Sequence, residues 1–162
     1  MADYFDCVFI YCKKNILKTV INPDKRCNKM KTIVRKEHKL LAVWAADCAG
    51  HVLKVFDKKN PHDDRPRNAI NAVRVWVRGE ISMSEVRKFA FAAHAAARDT
   101  DDPGARAAAR AAGHAAATAH VTDHAKHAAA YALKASANKR REREWQLQHL
   151  PKQIKSKIDP ES

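Results

Sequence analysis

Residues 113–135 read Gly113-His-Ala-Ala-Ala-Thr-Ala-His-Val-Thr-Asp-His-Ala-Lys-His-Ala-Ala-Ala-Tyr-Ala-Leu-Lys-Ala135. Alanine is the strongest helix former and adds almost no bulk to a helix surface, so helices of this composition approach one another closely. The stretch therefore predicts thin, tightly packed helices. It also carries His114, His120, His124 and His127. Two readings fit these imidazoles. In the first they fill small gaps beside alanine and hydrogen-bond to carboxylates or carbonyls; in the second they form a polar pocket or a metal site. The sequence favours the structural reading.

Helical signals continue outward in both directions. Upstream, Ile33, Leu40, Leu41, Trp44, Cys48, Val52, Val55 and Phe56 recur near helical spacing, which predicts a helix from Thr32 to about Phe56 that Asn60-Pro61 ends. Asp64 is expected to cap a second helix, with Arg65 and Pro66 in its first turn, Ile70, Val73 and Val77 on its inner face and Gly79 as its stop. Ser82-Met-Ser-Glu85 fits a capping box for a third helix ending near Arg98. Asp102-Pro103 opens a fourth, expected to run through Gly113 to about His120. A fifth, capped by Thr122 or Asp123, reaches Ala137 unless it is continuous with the fourth. A last basic helix covers about Asn138 to Leu150, before Pro151. The fold expected is all-α: a compact single-domain array of about five or six helices with alanine-rich close packing.

The 162 residues carry a formal net charge of +13. Residues 99–133 hold three Lys and Arg against four Asp and Glu, whereas residues 134–162 hold eight against four. The basic excess thus lies on the periphery, as on a solvated surface or a face for an acidic partner. Zinc-finger spacing, an RNA-reading aromatic motif and a Gly-rich phosphate loop are all missing from the sequence, which argues against nucleic acid. Cys7, Cys12, Cys27 and Cys48 form no CxxC pair and read as free thiols, pointing to a cytoplasmic location. No apolar run nears the roughly 18 residues that cross a bilayer. Residues 1–29 mix aromatics, cysteines and lysines with little helical period and read as a leader outside the core domain, with Met30 as an alternative start.

Several constellations could carry chemistry. On a continuous helix His120, His124 and His127 would share one stripe with Tyr131. Asp47 and His51, also four apart, could complete a zinc site with His120 and His124 from a facing helix. Around Asn60-Pro-His-Asp-Asp-Arg-Pro-Arg67, Arg65 and Arg67 could bind an anion or simply fix the loop by pairing with carboxylates. Trp44, Trp76, Trp145, Met83 and Tyr131 read as packing residues. The run Lys139-Arg-Arg-Glu-Arg-Glu144 reads as an exposed helix laced with ion pairs. Cys48, three residues before His51, sits on an apolar stripe, a poor place for a nucleophile. No enzyme chemistry is expected.

Five segments in order, Trp44-Ala-Ala-Asp-Cys48, Asp64-Arg-Pro-Arg-Asn-Ala-Ile70, Ala92-Ala-His-Ala-Ala-Ala-Arg98, Gly113-His114 through Ala129-Ala-Tyr-Ala-Leu-Lys-Ala135, and Glu144-Trp-Gln with Leu150-Pro151, resemble the Imm-5-like family of bacterial immunity proteins. The resemblance covers residues 30–158 and leaves residues 159–162 as a tail. It implies an all-helical protein that binds and neutralises a cognate toxin of a polymorphic toxin system. On its motifs the polar positions carried over are Asp47, Arg65, Arg67, His94, His114 and His120, as a binding set or a structural polar core. The basic exterior then predicts an acidic surface on the toxin. Two other readings stay open: a helical protein binding zinc or a small ligand through Asp47, His51, His120 and His124, and a basic nucleic-acid binder using the last helix.

Overall fold

A computed structural model describes residues 23–155, with side chains from Thr32 onward. Among these residues there are six α-helices and no strand: α1 (Pro23–Lys59), α2 (Arg65–Arg78), α3 (Met83–Asp99), α4 (Pro103–Ala117), α5 (His124–Ala135) and α6 (Lys139–Gln148), followed by a 3-10 turn at Lys152–Ile154. The all-α expectation is correct. Most of the leader assigned to residues 1–29, the end of the domain at 158 and the tail at 159–162 lie outside the described residues. The described part of that leader, from Pro23, is helical, so α1 begins earlier than the Thr32 expected. The chain divides between Lys36 and Glu37, and every side chain discussed below belongs to the second unit.

Local chemistry accounts for most helix ends. Ser82 and Glu85 form the predicted capping box of α3, each side chain bonded to the other's backbone N–H. The Asp102 side chain accepts from Ala105 N–H at 2.8 Å and opens α4 with Pro103 in its first turn. Asn138 caps α6 in the same way through Arg141 N–H. Gly79, at φ 84°, adopts the left-handed conformation that stops α2, which a residue with a side chain would reach only with strain. Asp64 stands at the N-cap of α2 but makes no side-chain cap bond. Its neighbour Asp63 accepts from Arg65 N–H at 3.1 Å instead. Asp123 likewise precedes α5 without a side-chain cap.

Helix α4 is the centre of the second unit. It packs against α2, α3 and α5, while α2 also lies on α3 and α5 on α6. All nine of its alanines are buried, from Ala105 in the first turn to Ala117 in the last. A helix buried nearly all round must be apolar all round, and alanine meets that demand at minimal thickness. The volume that alanine does not supply comes from larger side chains, among them Trp44, Phe56, Ile70, Val73, Val86 and Ile154. Two expectations about packing fail. Met83 is 51% exposed, at the very start of α3 where no neighbour covers it. Glu142 is 3% exposed, so the basic run of α6 is not a fully solvated helix.

Candidate functional site

The first cluster is an imidazole corner built by α3, α4 and α5. Helix α4 does not run on to His120. Its last turn tightens, with Ala119 N–H bonding to Ala116 O and His120 N–H to Ala117 O, three residues back rather than four. The Thr118 hydroxyl turns inward and donates to His114 O at 3.0 Å. His38 Nε2 donates to the Thr118 carbonyl at 2.6 Å, so this end of the helix is capped from α1. A new start at His124 brings α5 back alongside α4.

The reversal sets His124 against His114, with the two Nδ1 atoms 3.2 Å apart. Only one of the two nitrogens can carry the proton of that bond. The His114 ring also lies 5.3 Å from His127, stacks on Tyr131 at 5.2 Å and meets His94 edge-on at 5.0 Å. His120 sits 5.3 Å from His124. His94 fits because residue 113 is glycine: a Cβ there would come within 2.6 Å of the imidazole. His94 Nδ1 is buried without a hydrogen-bond partner. Burial, followed by the charges of the neighbouring rings, pushes the His114 pKa down to about 4. Burial comes first as well for His94, His120 and His124, all held below the ordinary imidazole value. These four rings therefore favour the neutral form at pH 7.

The second cluster joins α1 to α6. Trp44 Nε1 donates to Gln146 O at 3.0 Å, and Gln146 Nε2 donates to Ala129 O at 3.2 Å and to Glu142 Oε1 at 3.0 Å. His51 Nδ1 donates to Glu142 Oε2 at 2.7 Å, so each oxygen of this buried carboxylate has a donor. The Trp145 ring is sandwiched, with His51 3.9 Å away on one face and His149 4.1 Å away on the other. Beside it opens a cleft of about 370 Å³ lined by Asp47, Leu53, Arg67, Arg74, Trp145 and His149. Asp47 pairs there with Arg74 at 3.0 Å.

A third set of side chains fixes the α1–α2 loop. Arg65 grips Asp63 with two hydrogen bonds, at 2.9 and 2.7 Å, and reaches Asp99 at 2.8 Å, so one guanidinium ties the start of α2 to the end of α3. Arg67 pairs with Asp57 at 2.6 Å and Asp64 at 3.7 Å. Both guanidinium groups considered for an anion site thus face carboxylates of their own chain.

Placed on this frame, the family-motif residues separate. His94, His114 and His120 meet at the imidazole corner; Asp47 and Arg67 line the Trp145 cleft; Arg65 clamps the loop. The ligand set Asp47, His51, His120 and His124 is not assembled: Asp47 pairs with Arg74 and His51 with Glu142, while His120 and His124 belong to the other cluster. Among the described residues no group of three or more His, Cys, Asp or Glu stands ready to hold a metal ion. Nor do the corner imidazoles bond to carboxylates or use alanine gaps alone; His114 and His124 bond to each other. Cys48 is fully buried, and burial followed by the charge of Glu142 pushes its thiol pKa far up, away from nucleophilic use.

Glu142, Gln146, Arg74 and His149 were not singled out from sequence. The signal for the first two is a stripe four residues apart, Glu142, Gln146 and Leu150, whose last member is apolar and buried with them. Arg74 and His149 carry no comparable mark.

No described helix is long and apolar enough to cross a membrane. Neither a curated protein nor a solved structure matches the chain. One family does, described as "Imm-5 like putative immunity protein", over residues 31–153, a span that contains both clusters and the loop clamp. The chain belongs to the Imm-5 like immunity protein family.

Proposed function

We propose that this protein acts in the cytoplasm as an immunity protein, binding and neutralising a toxin that presents an acidic surface. Family membership supports the role, and the segregation of charge on α6 supports the partner's chemistry. Glu142 is withdrawn into the core, whereas Lys139, Arg140, Arg141 and Arg143 are exposed. Of these four cations only Arg140 pairs with a carboxylate among the described residues, Glu144 at 3.8 Å. Arg141, Trp145 and His149 share one stripe that leads into the cleft beside Arg67 and Arg74. An exposed run of arginines around a half-buried tryptophan has the composition of an interface hot spot, and its charge would speed encounter with an acidic partner.

The test is rescue. Toxin domains encoded beside the gene are expressed with and without this protein, and growth is followed. Restored growth with a direct complex, weakened by Arg141→Glu and Arg143→Glu, is the expected result. Failure to bind or protect against any neighbouring toxin would overturn the reading. A chain that instead shifts duplex DNA, with affinity dropping by about 10³-fold or more between ~50 and ~200 mM salt, would be a phosphate binder.

A further inference from the structure

We propose that the imidazole corner is a site for a divalent transition-metal ion of the zinc, nickel or copper kind, with His114 and His124 as its first ligands and His127 as the third. Two nitrogens on a tetrahedral ion with metal–N bonds of roughly 2.0–2.1 Å stand about 3.3 Å apart. The Nδ1 atoms of His114 and His124 are 3.2 Å apart already. An ion there would replace the shared proton, each ring turning so that its lone pair points at the ion rather than at the other nitrogen.

His127 follows His124 by three residues on α5, and its ring lies 5.3 Å from His114 and 6.0 Å from His124. Its residue is exposed, which leaves room for the ring to turn inward, whereas His114 and His124 are half-buried, His114 stacked on Tyr131 and His124 held by its hydrogen bond to His114. That rotation is needed, because no three such side chains converge as they stand. Water completes the shell on the open side. His94 and Tyr131 wall the other side of His114 and orient its ring. An all-imidazole set suits zinc, copper and nickel and leaves magnesium and calcium without their oxygen ligands. The ligands come from α4 and α5, so the ion would tie the two helices together across the break at residues 118–123.

Zinc chloride is titrated into the metal-free full-length chain by calorimetry, with cobalt(II) as the spectroscopic probe. One ion per chain, a cobalt spectrum without thiolate charge transfer, and a raised melting temperature are expected. Both His114→Ala and His124→Ala should weaken binding at least about tenfold, since even outer-shell partners are worth that much. His127→Ala, at an exposed position that leaves the packing intact, should weaken it too, and His62→Ala, far along the chain on another loop, should not. Absence of saturable binding would overturn the proposal. So would binding that survives all three corner substitutions or a cobalt spectrum dominated by thiolate, either of which would assign the ion to cysteines.

Discussion

Two histidine-bearing regions of this molecule solve the same problem in opposite ways. Where α1 meets α6, His51 donates to a buried carboxylate whose second oxygen is taken by Gln146, and Gln146 in turn reaches the backbone of α5. Donors and acceptors there are matched one to one. At the α3–α4–α5 corner, imidazoles meet imidazoles, and His94 Nδ1 has no partner. Neutral imidazole offers one donor and one acceptor, so a cluster of such rings with no carboxylate bonded to it among the described residues carries unused lone pairs. The first region is a finished network that fixes the fold; the second keeps acceptor capacity to spare. A buried polar group without a partner costs stability, so the second region is the less stable arrangement of the two.

The comparison is broken most directly at Trp44, the buried anchor of the matched network. Trp44→Ala should lower stability by about 3–5 kcal/mol in denaturant melts, through lost volume and an unpaired Gln146 carbonyl. No single change at the exposed His120 or His127 should approach that. Glu142→Gln keeps the shape of the side chain but removes the charge that His51 and Gln146 donate to. We expect a loss of about 2 kcal/mol and weaker stacking of Trp145, visible in its fluorescence.

Acid should separate the regions next. In the unfolded chain His114 takes up a proton near its ordinary value of 6.5, whereas in the folded chain it resists until about pH 4. The unfolded state therefore binds more protons between those values, and stability falls as pH drops from about 6.5 towards 4. For the half-buried cluster the loss should be on the order of 2 kcal/mol. It should shrink in His114→Phe measured with chelator present; an unchanged pH slope in that variant would remove His114 as its source.

Gly113→Ala drives a Cβ towards the His94 ring. The cost should be about 1 kcal/mol, at the low end for overpacking because His94 is only half-buried and can swing outward. Combining it with His94→Ala should recover most of that loss, and additive effects would show that the two do not touch. The smallest effect belongs to the exposed Arg140–Glu144 pair: Arg140→Ala should change stability by less than about 0.5 kcal/mol. Affinity for the proposed toxin partner, by contrast, should fall if the basic face of α6 is the surface it meets.

Much of the architecture was legible because it is written in short-range signals. Pro103 behind Asp102, the Ser82–Glu85 box and Gly79 each act within one helical turn, and each works as its residue type predicts. Asp64 misled because Asp63, one residue earlier, reaches the same N-terminal donors while also holding Arg65. Glu142 misled for a different reason. Surrounded by arginines in sequence, it reads as one half of a surface pair, yet at four-residue spacing it lies with Gln146 and Leu150 on the side facing the core.

The sequence by itself determined that this chain is helical, thin-walled and basic outside, and its ordered motifs carried the family resemblance. Those properties follow from propensity, periodicity and charge, all of which act locally. Which imidazole meets which was decided only by the tertiary structure. His114 and His124, ten residues apart, would sit far from each other along a straight helix. They touch because Thr118 and His38 end α4 and the next helix turns back. A reversal of chain direction couples residues through space, and no count along the chain reports it.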